Sequence, residues 1–158
     1  MSIAGEGTGT DRTLLRISKT TEHFITREGL PTRCLFEPSP TDMDNPPVRV
    51  SVWDHQVVPF RRAASLLPDG DPRVGWTILE SEVMSVSAVE QTAGRAALAV
   101  VQDPDGTPEG ADLTIEEKNA HYGIEGLLKP DRLPRSQQAA CKNVLRLLAS
   151  KAKGPITE

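Results

Sequence analysis

The chain has few aromatic side chains and no long apolar segment. Six of its 158 residues are aromatic, so we expect a core built mainly from aliphatic side chains. The longest apolar run covers residues 96–101, whereas a helix that spans a membrane needs about 20 apolar residues. Residues 1–11 have neither the basic nor the apolar region of a secretory signal, and we expect a flexible leader there. The sequence thus predicts a cytoplasmic protein that does not contact membranes.

The sequence also lacks the residue patterns of metal, redox and cofactor sites. Its two cysteines, Cys34 and Cys141, are far apart and form no Cys-x-x-Cys pair, so we expect free, buried thiols. Glu117 and His121 have the spacing of one helical turn, but no third ligand lies near them in the sequence. Neither a Gly-x-Ser-x-Gly elbow nor a glycine-rich phosphate loop occurs. We therefore expect no metal and no cofactor.

The residues that are present have the pattern of one compact domain. Leu, Ile, Val and Phe make up about 23% of the chain, above the roughly 20% below which disorder is expected. Short or alternating apolar runs predict strands at residues 13–18, 48–53, 76–79, 97–101 and 121–126. Helical spacing predicts helices at residues 59–67, 85–94 and 134–153, of which the last is long and amphipathic.

These elements predict an α+β fold, or a small α/β fold. We expect a mixed sheet of about four to six strands and about three helices in a single domain over residues 12–154. Residues 37–47 contain four prolines and several aspartates, which predicts a loop, because each proline removes an amide donor. The predicted core includes Val50, Val52, Phe60, Trp76, Leu98, Val100, Val144 and Leu148.

Basic residues are concentrated near the C-terminal end of the sequence. Residues 132–153 contain six basic and no acidic side chains, although the whole chain has a net charge of −4. At about 100° per residue, four of them fall within about 40° of one another on a helix: Arg135, Lys142, Arg146 and Lys153. This basic stripe indicates either a docking face for an acidic partner or a solvated helix face. Nucleic acid is the less favoured partner, because the chain has no overall basic excess and no aromatic residue within the stripe.

Five residues are candidate catalytic groups: Arg16, His55, Glu80, Glu82 and His121. His55 follows Asp54 at the end of the clearest strand, where a carboxylate can orient an imidazole, but adjacent strand residues point to opposite faces. Glu80-Ser81-Glu82, placed after a strand, resembles the Glu-x-Glu element of ADP-ribosyltransferases. This resemblance implies that Arg16 fills that family's arginine position, although no Ser-Thr-Ser element lies between them. The alternative is that the two acids begin a helix.

No constellation in the sequence requires catalysis, so we favour a function other than that of an enzyme. We predict a protein–protein interaction module, such as an adaptor, an inhibitor or immunity protein, or an assembly subunit, that docks an acidic partner through the basic stripe. The alternatives are a small transferase or hydrolase that uses carboxylate and histidine residues, and a nucleic-acid accessory protein. The turn-rich composition is typical of a bacterial protein.

Overall fold

The protein folds around one six-stranded antiparallel sheet. The computed structural model describes residues 11–68, 70–87 and 97–158. The strands are β1 (Thr13–Lys19), β2 (Val50–Asp54), β3 (Arg73–Leu79), β4 (Ala99–Gln102), β5 (His121–Glu125) and β6 (Lys153–Ile156). The helices are α1 (Pro40–Asp44), α2 (Phe60–Ser65), α3 (Glu80–Met84), α4 (Ile115–Asn119) and α5 (Arg135–Lys151). Short 3-10 helices occupy Arg33–Phe36, Pro104–Gly106 and Pro130–Arg132.

The predicted α+β class and the long C-terminal helix are confirmed. The strand order is β4-β5-β2-β1-β3-β6, and every pair of neighbours is antiparallel, where the sequence led us to expect a mixed sheet. The described residues form five α-helices, two of which, α1 and α4, lie where the sequence has no clear helical period. The predicted leader falls almost wholly on residues 1–10, outside the described ranges.

One face of the sheet packs against α5. Alternation along β2 and β5 sends Val50, Val52 and Ile124 to this face, where they meet the buried stripe of α5, including Leu145 and Leu148. The 3-10 helix Arg33–Phe36 completes this layer. Seven of the eight predicted core residues are buried, and Val100 is half-buried. The opposite face of α5 is therefore free to carry polar and charged side chains.

The other face of the sheet packs against α2. Leu15 and Trp53 point to this side and contact Phe60 and Ala63 of α2. Gly75 of β3 permits this close approach, because a Cβ atom there would lie 2.8 Å from Cδ1 of Phe60. Trp53 is thus buried, so both faces of β2 are covered at this point. The covering is incomplete further along β2, where Ser51 is exposed.

The boundaries of two predicted helices were wrong. The C-terminal helix ends at Lys151, and the chain then forms β6, because a positive φ at Gly154 and pairing with β3 return it to the sheet. The helix expected from Ser85 begins earlier, at Glu80, where two acidic residues lie in its first turn. Ser85 ends α3 and Ser87 bridges to Ala97; the rest of that predicted helix lies outside the described residues.

Residues 37–47 are not wholly irregular. Ser39 accepts a hydrogen bond from the Asp42 amide, and the Asp42 carboxylate accepts one from the Ser39 amide, which starts α1 as a capping box. Pro40 suits the first helical position because it needs no amide donor there. In the ranges that the structure describes, no helix has the length and apolarity needed to cross a membrane.

Candidate functional site

Two adjoining cavities lie on the sheet face that carries α2. One has a volume of about 730 Å³ and a polar lining, and the other, of about 300 Å³, has a partly apolar lining. Ser51 and Gly106 line both cavities, so the two form one continuous cleft beside β2. The larger cavity is also lined by Thr41, Asp42, Asn45, Pro47, Arg49, Asp103, Asp105, Glu109 and His121.

Ser51 presents its hydroxyl in the middle of this cleft. It alternates with buried Val50 and Val52 on β2, so its side chain points away from the α5 layer. The antiparallel register pairs Ser51 with Gly123 and Trp53 with His121, which places Ser51 and His121 diagonally on the same face. Their side chains meet: Oγ of Ser51 lies 2.6 Å from Nε2 of His121. An exposed hydroxyl is therefore held by a histidine behind it.

His121 is almost completely buried and has a fixed orientation. It is 1% exposed, and its ring packs edge-on against Trp53 with 4.6 Å between ring centroids. Nδ1 lies 2.7 Å from the main-chain carbonyl oxygen of Asp103. Because a carbonyl can only accept, Nδ1 carries the hydrogen and the Nε2 lone pair faces the Ser51 hydroxyl. The imidazole can thus accept the proton of that hydroxyl.

Burial lowers the pKa of His121 below its ordinary value of 6.5. The hydrogen bond to the Asp103 carbonyl and the nearby Asp103 charge oppose this shift without reversing it. The Asp103 carboxylate is 4.0 Å from Nδ1, so its charge acts on the ring without a direct hydrogen bond. His121 is therefore neutral at pH 7, which is the state required of a proton acceptor.

A network of charged side chains fixes Asp103 beside the histidine. The Asp103 amide donates to the His121 carbonyl at 2.8 Å, so both main-chain groups of Asp103 engage His121. Arg49 lies 3.3 Å from the Asp103 carboxylate and 2.8 Å from that of Glu125. Gly123 makes room for Arg49, because a Cβ atom there would lie 2.8–3.0 Å from three carbons of the arginine side chain.

Gly106, like Gly123, leaves room for a neighbouring side chain. A Cβ atom at Gly106 would overlap the carboxylate of Asp103, the residue that precedes the 3-10 helix Pro104–Gly106. The Asp-Pro-Asp-Gly sequence of residues 103–106 is typical of a turn, and the structure places one there. Its role in orienting His121 depends on contacts that the sequence does not show.

Arg16 lines the smaller cavity of the cleft. β1 and β2 pair through only two residue pairs, and beyond them the two strands diverge. Arg16 fills the gap, with Nε donating to the Leu35 carbonyl and Nη1 to the Ser51 carbonyl, each at 2.9 Å. Carbonyl groups that lack a strand partner are thereby satisfied. Of the predicted catalytic candidates, Arg16 and His121 are the two that the structure brings to the cleft.

The other three candidates, Glu80, Glu82 and His55, lie outside the cleft. Glu80 forms a salt bridge with Arg12 at 2.6 Å, and Glu82 accepts a hydrogen bond from the Leu79 amide at the start of α3. This is the alternative in which the acids begin a helix. His55 lies in the turn that follows β2. The Glu80 amide donates to the Arg12 carbonyl, and Arg16 lies four strand residues beyond Arg12, so Arg16 and Glu80 are roughly 13 Å apart. They therefore do not form one site.

Glu117 and His121 do not share a helix. Glu117 belongs to α4, where the Arg62 guanidinium and the Thr114 amide lower the pKa of its carboxyl group to about 2. His121 begins β5 and points toward Ser51. Within the described ranges, no group of three or more His, Cys, Asp or Glu side chains is placed to hold a metal ion.

The basic stripe is only partly a feature of the helix. Arg135 and Arg146 are exposed on α5 and Lys142 is half-buried, whereas Lys153 lies beyond the helix as the first residue of β6. Among the described residues, no carboxylate lies within salt-bridge distance of Arg135, Lys142 or Arg146. Arg146 donates to its neighbour Asn143 at 3.4 Å. The stripe therefore stops at Arg146 on the helix itself.

Comparison with protein-family models, with curated proteins and with solved structures gives no match to this chain. Its function must therefore be inferred from the chemistry of its own residues. Two features stand out: the cleft around Ser51 and the outer surface of α5. The basic residues on the outer surface of α5 and the histidine of the cleft, His121, were recognisable in the sequence. The contact between His121 and Ser51 was not.

Proposed function

We propose that this protein is a small hydrolase that cleaves esters, with Ser51 as the nucleophile and His121 as the general base. The observation that carries the proposal is the 2.6 Å contact between Ser51 Oγ and Nε2 of the buried His121. Orientation by Asp103, a lowered histidine pKa and a cleft that exposes the hydroxyl all support it. We keep the cytoplasm as its proposed location.

The reaction needs no cofactor. Ser51 Oγ attacks the carbonyl carbon of the ester, and its proton passes to Nε2 of His121. The tetrahedral intermediate collapses when the bond to the alcohol oxygen breaks and Nε2 returns the proton to that oxygen. A water molecule then attacks the acyl-serine, with His121 again taking and returning a proton, and the carboxylic acid leaves. The serine hydroxyl and neutral imidazole are regenerated.

Asp103 is a positioning residue in this scheme. Its carbonyl holds the histidine hydrogen on Nδ1, so that the Nε2 lone pair faces Ser51. Its carboxylate is held by Arg49 and stabilises the imidazolium that forms when His121 takes the proton. The triad of well-known serine hydrolases uses the carboxylate for the direct hydrogen bond, and here the main-chain carbonyl makes that bond.

The test is hydrolysis of a p-nitrophenyl ester by matched variants. Ser51→Ala should abolish the activity, and Ser136→Ala, at an exposed serine on α5, should leave it unchanged. His121→Gln should lower kcat by about 10²–10⁴-fold, the usual contribution of a general base. Circular dichroism and urea unfolding establish that each variant is folded. Equal rates for wild-type and folded Ser51→Ala protein would exclude Ser51 as the nucleophile.

A second candidate function is docking of an acidic protein on the outer surface of α5. It is favoured by the exposure of Arg135 and Arg146, with Lys142 beside them and no described carboxylate within salt-bridge distance of any of the three. Replacement of all three by Glu should abolish capture of that partner without unfolding the protein. If the captured partner is instead removed by nuclease, and its log binding constant falls with log salt concentration by about 0.9 per neutralised phosphate, the partner is a nucleic acid.

A further inference from the structure

The smaller cavity of the cleft is lined by an arginine, Arg16, that forms no salt bridge with the described residues. Of the carboxylates that the structure describes, the one whose charge acts on it is that of Asp42, which lines the larger cavity. Arg16 lies in the gap between β1 and β2, where burial lowers the pKa of its guanidinium to about 10. Its two hydrogen-bond acceptors are main-chain carbonyls, and no carboxylate of the described residues lies within 4.0 Å. A guanidinium has five N–H groups, so several remain free to donate.

A second guanidinium lines the same cavity. Arg73 begins β3, is half-buried and donates from Nε to the Asp71 carbonyl at 3.4 Å. A planar guanidinium presents paired N–H groups that match a carboxylate or phosphate better than an ammonium does. Two such groups in a cavity of about 300 Å³ create a positive field at one part of its wall.

The rest of this wall is apolar. Ile17, Trp53, Ala63 and Leu67 line the cavity together with the two arginines, and Ser51 stands at its junction with the larger cavity. The cavity therefore combines two guanidinium groups with apolar side chains beside Ser51, and this combination suits a short ester that also carries an anion. Burial of the hydrocarbon would strengthen the charge interactions by excluding water.

We infer that the smaller cavity is an anion subsite formed by Arg16 and Arg73, and that the substrate is a short ester whose acyl chain ends in a carboxylate or a phosphate. The assignment of the substrate rests on the proposed role of Ser51, whereas anion binding itself does not. Arg16 then has two roles, because it also closes the gap between the strands and holds the Ser51 carbonyl.

Anion binding is measured first by calorimetry on the full chain. Glutarate and inorganic phosphate are the two charged probes, and 1,5-pentanediol is the uncharged counterpart of glutarate. Glutarate, phosphate or both should bind to wild-type and to Ser51→Ala protein with equal affinity, and the diol should not bind. Which anion binds tells whether the acyl chain ends in a carboxylate or a phosphate. Failure of both anions to bind would overturn the subsite.

Matched arginine variants show where the anion binds. Arg73→Gln should weaken binding by about tenfold or more, and Arg16→Lys should weaken it while retaining a cation in the gap. Arg61→Gln removes an exposed arginine of α2 that pairs with Glu158 outside the cavity, and it should have no effect. Binding that is unchanged in both Arg16→Lys and Arg73→Gln would overturn the assignment even if an anion binds.

Kinetics then separate the subsite from the proposed function. For an ester with a terminal carboxylate, Arg73→Gln should raise KM more than it does for p-nitrophenyl butyrate and leave kcat nearly unchanged, and the control Arg61→Gln should change neither constant for either ester. Anion binding without hydrolysis by Ser51 would refute the proposed function and leave the subsite intact. Hydrolysis without any preference for the anionic ester would support Ser51 and refute the substrate class.

Discussion

Replacing Leu148 by alanine should destabilise the protein strongly, and the same replacement of its neighbour Leu147 should not. Leu148 is 0% exposed in the layer between α5 and the sheet, and Leu147 is 51% exposed. Truncation of a fully buried leucine removes transfer free energy and leaves a cavity, together about 2–5 kcal/mol. For Leu147 about half of the side chain already contacts water, so we expect a loss of less than about 1 kcal/mol.

Urea unfolding followed by circular dichroism measures both changes. The midpoint for Leu148→Ala should fall while the slope stays constant, because the two-state transition is retained. In a thermal scan, a loss of about 3 kcal/mol corresponds to roughly 6–12 °C for a chain of this size. Equal losses for the two variants would show that α5 is rotated from the orientation described. In that case Arg135 and Arg146 would not share its outer surface.

Three further predictions concern the cleft and the thiol in the core. Gly123→Ala should displace Arg49, because the new Cβ atom would lie 2.8–3.0 Å from three of its carbons. The free energy of unfolding in urea should fall by about 1–3 kcal/mol, and ester hydrolysis should slow. A fully active, equally stable variant would contradict the packing around Asp103. Because burial lowers the pKa of His121 in the folded state, the unfolded chain binds this proton more readily. Its contribution to stability is thus complete above pH 6.5 and is lost as the pH falls below that value. His121→Gln should therefore reduce the dependence of the free energy of unfolding on pH below 6.5. If that dependence is unchanged in the variant, it arises from other groups. Burial raises the pKa of Cys141 to about 11, so this thiol should resist a disulfide reagent at pH 8 until urea unfolds the protein; rapid labelling of the native chain at Cys141 would show that it is not buried.

Local patterns in the sequence predicted much of the sheet and its core. Alternation around Val50 and Val52 predicted β2, and the same period predicted the faces of β5, because one face of each strand is buried against α5. The period of α5 predicted the burial of Val144 and Leu148, which is confirmed, whereas Leu147 is 51% exposed. These signals succeed where burial alone decides which side chain points inward.

The elements that were misplaced depend on distant pairing. The sequence predicted a domain that ends at residue 154, yet Gly154 and Pro155 form part of β6, because β3 offers an unpaired edge to the chain that leaves α5. A short strand that contains glycine and proline has no alternating signal of its own. Its position follows from the end of the helix and from the edge it covers.

The sequence did not predict the cleft, because the cleft also depends on pairing between distant strands. His121 was identified as a candidate, but its partner was sought four residues away at Glu117, on the assumption of a continuous helix. Ser51 is 70 residues from His121 and meets it only because β2 pairs with β5. One local signal existed, since alternation puts Ser51 on the opposite face from the valines. The order of strands, which the sequence does not specify, decides what that face meets.

Treatment of the folded chain with a fluorophosphonate, followed by mass spectrometry of the adduct, shows whether Ser51 is a nucleophile, because this probe reacts with serines that a neighbouring base activates. We expect an adduct on Ser51 in the wild-type chain and none at that position in folded Ser51→Ala protein. Because the pKa of folded His121 lies below 6.5, the labelling rate should be retained at pH 6.5 and fall only at a lower pH, where His121 becomes protonated. Absence of an adduct at Ser51 in the folded wild-type chain, or a rate that is the same in His121→Gln protein, would contradict the account.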